Sequence, residues 1–207
     1  TAYKKAVNYG VYGIDLAYTN FYGQNQALLN YYIATKKLAE GLNIEETFNE
    51  FANSFNKNSS NKDSIVQIVD KAYNETDAYL KKNERYLAAS HVLAGALIEV
   101  NFISLSLLQD MKQDTSNEKL FEKIYNEKLY IYYLVKLFEE YTDKDSKALL
   151  SELQSFKKMY DDSVKSPGDL TSENITKVLS QLSSIRAKLV RSEEHTSELQ
   201  SHSDLVC

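Results

Sequence analysis

Residues Tyr86 to Leu108 read YLAASHVLAGALIEVNFISLSLL and are apolar on nearly every face. A helix without a polar side is normally buried. The stretch, continued to about residue 110, is therefore expected to be the central helix of an all-α bundle. It is also long enough to span a bilayer. Against a span, His91, Glu99 and Asn101 would be expensive in lipid, and the flanks carry no aromatic and basic belt.

Working outward toward the N-terminus, Ile65, Ile68, Val69, Ala72 and Tyr73 alternate with charged residues, which predicts an amphipathic helix from about residue 64 to 82. Before it, NKNSSNKDS at 56–64 reads as a polar loop. Asn43 and Glu46 resemble a capping box opening a short helix to about residue 55. Residues 24–40 predict another helix, with Gly41 placed as its left-handed cap. In the first segment, 2–22, Tyr9, Tyr12 and Leu16 fall at helical spacing. Gly10 and Gly13 weaken that helix, and are expected to admit a neighbouring backbone or ring.

Toward the C-terminus, Thr115 with Glu118 resembles a capping box before a long helix to about residue 141, and Asp145 is placed to cap the next, through about residue 164. Ser166-Pro167-Gly168 reads as a turn, and Thr171 or Ser172 opens a last helix to residue 190. The expectation is a single all-α domain over residues 1–190: an antiparallel bundle of about eight helices with no strand.

The last stretch, RSEEHTSELQSHSDLVC at 191–207, resembles a translated sequencing adapter and is read as a non-native tail irrelevant to the fold. It holds one of the 24 basic and four of the 29 acidic residues, so the remaining body carries 23 against 25, close to neutral. No strongly charged partner is implied, and nucleic acid is not expected. The tail also takes the only Cys and two of the three His. A body without Cys excludes a disulfide framework, a thiolate zinc site and a Cys nucleophile. Six Gly and one Pro fit helices joined by short connections, while 16 Tyr with no Trp is unusual.

Five residues stand out as candidate ligand contacts: Tyr12, Asp15, Tyr18, His91 and Glu99. Asp15 lies among apolar and aromatic neighbours, with Tyr12 and Tyr18 three residues to either side, so it is either a hydrogen-bond hub or the polar anchor of a ring-lined cleft. His91, Gly95 and Glu99 share one helical face, with the glycine leaving room between two ionisable groups. Such a pair is either a buried polar pair or part of an acid/base or metal site. No metal, cofactor or catalytic set is assigned, since phosphate loops, nucleophile elbows, Glu-x-x-His and His-Glu-x-x-His motifs are all missing from the sequence.

VYGIDLAYTNFYGQNQ at 11–26, NKDSIVQIVDKAYNETDAYLKKNER at 61–85 and AASHVLAGALIEV at 88–100 resemble a family of uncharacterised all-helical bacterial proteins with a lipoprotein-type signal. The resemblance implies attachment in the cell envelope, on the periplasmic side, and supplies no catalytic residues. The chain opens at Thr1 instead of Met, so a preceding segment is expected, and the resemblance implies that a lipid anchor could lie in it; a cytoplasmic location is the alternative. The functional expectation is a non-enzymatic module that binds a protein or small ligand. The rival is an enzyme or metal binder using His91, Glu99 and Asp15.

Overall fold

The computed structural model of this protein describes residues 1–58 and 61–190. Part of the expected 56–64 loop, and all of the tail 191–207, lie outside the described residues. Among the described residues there are eight α-helices and no strand: α1 (Ala2–Phe21), α2 (Asn25–Leu42), α3 (Glu45–Asn58), α4 (Lys62–Lys82), α5 (Tyr86–Leu108), α6 (Glu118–Phe138), α7 (Lys144–Ser163) and α8 (Ser172–Val190), with a 3-10 turn at Pro167–Asp169. The fold is an all-α helical bundle.

The described residues divide into two compact units, Thr1–Ala96 with residues 189 and 190, and Leu97–Lys188. The long apolar helix α5 gives its first half to one and its second half to the other. In the first unit, α1 packs broadly on α2, and α3 on α4. Val7, Val11 and Leu16 of α1 are fully buried, as is Leu80 of α4, and α3 contributes Phe48, Phe51 and Phe55 as a run of touching rings. Burying each such side chain stabilises the fold by roughly 1.5–3 kcal/mol. In the second unit α6 packs on α7, through Phe121, Ile131 and Phe138 against a core that includes Leu153, Phe156, Ile175 and Leu182.

Three helices end in the same way. Gly23, Asn43 and Glu84 have φ of 68°, 53° and 59°, and the amide after each reaches back to the carbonyl five residues before it: Gln24 to Thr19, Ile44 to Ala39 and Arg85 to Leu80. These Schellman ends satisfy carbonyls that the helix leaves open. The left-handed cap of α2 is thus Asn43, which corrects the assignment of Gly41; Gly41 is helical and lies beside the Lys5 side chain. Other caps are shifted as well. Helix α6 begins after Asn117, in a turn where Ser116 and Asn117 bond with Asp114, and Asp143 caps α7 by accepting from the Ser146 amide at 2.9 Å. Thr171 accepts from the Asn174 amide at the start of α8, as expected.

Helix α5 is not covered on every face. Tyr86, Leu93 and Leu107 are 54, 43 and 45 % exposed. They lie seven and fourteen residues apart and so along one line of the helix. By length and composition α5 is apolar enough to cross a membrane.

Candidate functional site

The candidate residues are positioned by a crossing between α1 and α5 that has no side chains at its centre. A Cβ on Gly10 would lie 2.1 Å from the Val92 carbonyl oxygen, and one on Gly95 would lie 2.0 Å from that of Val7. The two backbones touch there, as small residues allow. Gly10 lies against Val92 and Ala96, Gly95 against Val7 and Val11, and Tyr3 meets His91 beside them. The space at Gly95 is therefore filled by α1 main chain, and does not separate two ionisable groups as the spacing had suggested.

His91 is buried at this crossing, its ring meeting that of Tyr3 edge-on at 4.7 Å between centroids. Tyr12 and Asp15 are also buried, on α1, and Tyr12 packs its ring against Tyr31 of α2 at 5.6 Å. Tyr18 is half-buried near the end of α1 beside Tyr22, and burial, with Tyr22 second, pushes its hydroxyl above the ordinary tyrosine value. Gly13 admits the ring of Tyr73 from α4, whose hydroxyl donates to the Gly10 carbonyl at 2.6 Å. Gly10 admits a backbone and Gly13 a ring. The cavity beside them, between Tyr9, Thr35, Tyr73 and Thr76, holds about 20 Å³. That is room for one water, not for an organic ligand.

Glu99 belongs to the second unit and is 1 % exposed. Its carboxylate accepts a charge-assisted bond from Nε of Arg186 on α8, and the guanidinium also stacks 5.1 Å from the Phe102 ring. Eight residues, about 12 Å of helix, separate Glu99 from His91. The structure thus brings Tyr12 and Asp15 together on α1, brings α1 to His91, and gives Glu99 a partner of its own. Among the described residues no group of three His, Cys, Asp or Glu side chains is placed to hold a metal ion.

A second polar cluster, between α6 and α7, was not expected. Burial raises Glu127 above the ordinary carboxylate value, opposed by a Ser104 hydrogen bond and by Lys123, and its Oε2 is shielded without a hydrogen-bond partner. Tyr160 is buried, and its hydroxyl is pushed far up, first by burial and then by Glu127 and Tyr125. Tyr125 donates to the Lys165 carbonyl at 2.6 Å and accepts from Lys128 at 2.7 Å. Two turns along α6, Tyr132 donates to Asp161, which also pairs with Lys157 at 3.0 Å. Glu127 was detectable: it lies three residues after Ile124 and four before Ile131, on the buried stripe of its helix.

Comparison with protein-family models, with curated proteins and with solved structures finds no match to this chain. The functional reading therefore rests on the chain's own chemistry. On the outer side of α6, Leu129, Tyr130 and Tyr133 are 45, 48 and 65 % exposed, beside Lys119, Glu122 and Asn126.

Proposed function

We propose that this chain is a non-enzymatic helical binding module of the bacterial cell envelope, which engages another protein through the outer face of α6. The observation that carries the reading is the run of Leu129, Tyr130 and Tyr133 left exposed on one helix. Tyrosine presents a large contact area with a polar tip and little conformational entropy to lose, which suits an interface more than a water-facing surface. The burial of Asp15 and His91, and the engagement of Glu99 by Arg186, favour structural roles for the ionisable candidates. An enzyme or metal binder built on those three residues has less support. The envelope location rests on the resemblance carried by residues 11–26, 61–85 and 88–100.

The test is site-specific photocrosslinking in cells. A photoreactive residue at position 133 is expected to give a discrete adduct, and one at Lys147, exposed on α7, is expected to give none. No adduct from 133 or 130 overturns the binding reading; recovery of the product from the soluble cytoplasmic fraction overturns the location.

A further inference from the structure

We propose that the turn between α1 and α2, with the exposed side of α2 behind it, seats in the surface of an anionic lipid bilayer. This goes beyond the protein-binding reading of α6 and does not depend on it.

Residues 16–35, LAYTNFYGQNQALLNYYIAT, carry no Asp, Glu, Lys, Arg or His and form the longest such run in the chain. The chain is 26 % charged, so twenty residues would ordinarily hold about five charges. The run is not hidden in the core. Eight of its positions are exposed, FYGQNQ at 21–26 together with Leu29 and Ile33. Phe21, Tyr22, Leu29 and Ile33 are 39, 51, 52 and 45 % exposed, and the last two, four residues apart, share one side of α2. A methyl group built on Gly23 meets nothing within 4 Å, so the turn stands clear of its surroundings. A protein partner accepts charges at the rim of its interface, whereas a bilayer selects against them wherever the chain enters it.

The backbone of the turn is closed on itself. The amides of Tyr22, Gly23, Gln24 and Asn25 donate to the carbonyls of Tyr18, Asn20, Thr19 and Gly23 at 2.8 to 3.1 Å. Leaving water therefore strands none of these four donors, as lipid requires. Tyrosine settles where its ring is in apolar surroundings and its hydroxyl in the headgroups, and the neutral amides of residues 24–26 suit the same layer. The seating is accordingly shallow, as for a helix lying at the interface.

Charges return only away from the turn, and cations come first. Lys36 and Lys37 are exposed one turn beyond Ile33, and exposed Glu40 follows a turn later. Asp15, which ends the run on α1, is buried. Helix α3 runs back along α2, from the Ile44 amide on the Ala39 carbonyl to the Phe48 ring 5.5 Å from that of Tyr32, so its last charge, exposed Lys57, falls toward the turn. On α4, Val69 lines the small cavity with Leu16; its exposed neighbours Asp70 and Lys71 cancel, as do Lys62 and Asp63 at the start of that helix. The remainder is three lysines against Glu40. That excess favours anionic over neutral headgroups.

The chain has no Trp, so Tyr22→Trp places a single fluorescent reporter on the turn and Tyr133→Trp one on α6. Each full-length variant is mixed with vesicles of phosphatidylcholine alone, and of phosphatidylcholine with phosphatidylglycerol. Tyr22→Trp emission is expected to move to shorter wavelength, further on the anionic vesicles, and Tyr133→Trp emission is expected to stay. In the Tyr22→Trp background, Ile33→Asp is expected to weaken vesicle binding about tenfold. Lys36→Gln and Lys37→Gln are each expected to weaken binding to the anionic vesicles about fivefold. Co-sedimentation of the unaltered chain with the same vesicles checks that the reporter does not create the binding, and circular dichroism checks that each variant stays folded. Emission from Tyr22→Trp that ignores both vesicles, equal binding to the two, or binding indifferent to Ile33→Asp overturns the proposal, as does an equal shift from Tyr133→Trp. A shift that grows with protein concentration in the absence of lipid makes a second copy the occupant and overturns it too. Silence at position 22 together with a protein adduct from position 133 overturns the bilayer seating and leaves the α6 reading standing.

Discussion

Gly10 of α1 and Gly95 of α5 each lie directly against the other helix's main chain, with no room for a methyl group: a Cβ on either would come within 2.1 Å of a carbonyl oxygen. Neither carbonyl can move without moving its helix. Gly10→Ala and Gly95→Ala are therefore expected to destabilise the protein by about 3 kcal/mol, despite a gain of about 1 kcal/mol in helix propensity. Gly41→Ala is the control. Its Cβ meets only the flexible end of Lys5, so about 0.5 kcal/mol of stabilisation is expected near the end of α2. Urea unfolding of the three variants checks both signs; a Gly10→Ala protein as stable as the parent would show that the helices separate freely.

Glu99 and Arg186 make a second prediction, because the carboxylate is 1 % and the guanidinium 16 % exposed. Removing one partner leaves the other charge buried and unpaired. Arg186→Met is expected to cost about 3–5 kcal/mol, whereas the double variant with Glu99→Leu is expected to recover most of it, since an apolar pair of similar volume needs no ion pair. Denaturant midpoints of the two single and one double variant decide the point. Equal losses in single and double variants would mean that the pair contributes by shape alone.

These two sites also show what was legible from residue order. Periodicity tells which side of a helix faces inward, and the exceptions to it are visible: glycines inside the α1 pattern announced close approach, and Gly10 and Gly13 receive it. It does not tell which helix stands opposite. Arg186 lies 87 residues from Glu99, and nothing local to either links them. Gly95 was misread for the same reason, because spacing along α5 shows its neighbours on that helix and not the α1 carbonyl that fills its place. The apolar character of α5 predicted burial on all faces, yet Tyr86, Leu93 and Leu107 are exposed along one line, because apolarity marks what can be buried and not what is. At the helix ends, glycine is the usual sign of a left-handed residue, but Asn43 and Glu84 adopt that conformation too.

Glu84 makes the third prediction. It is exposed, with φ of 59°, and its conformation is required for the Arg85 amide to reach the Leu80 carbonyl at 2.8 Å. A side chain there crowds its own backbone, and glycine removes the penalty. Glu84→Gly is expected to raise stability by about 1 kcal/mol and the melting temperature by about 2–4 °C, measured by thermal unfolding. Any fall would mean that the Glu84 side chain contributes more than its backbone strain removes.

The last prediction concerns pH and Glu127, whose carboxyl is raised above the ordinary value of 4.5 mainly by burial. A raised folded value means that the folded protein holds this proton more tightly than the unfolded chain does. Below about 4.5 both states are protonated and the group imposes no penalty. As pH rises through 4.5 the unfolded chain releases its proton first, so stability falls, and it levels off above the folded value. Glu127→Gln keeps the shape and cannot ionise. Its stability is therefore expected to fall less than that of the parent between about pH 4 and pH 8, so that the variant gains relative to the parent as pH rises. Tyr160 does not confound this window, because burial and Glu127 push its hydroxyl far above it. Urea unfolding of parent and variant at several pH values checks the sign. Parallel curves would show that Glu127 ionises as readily in the folded protein as in the unfolded chain, and that burial against Tyr160 does not hold its proton.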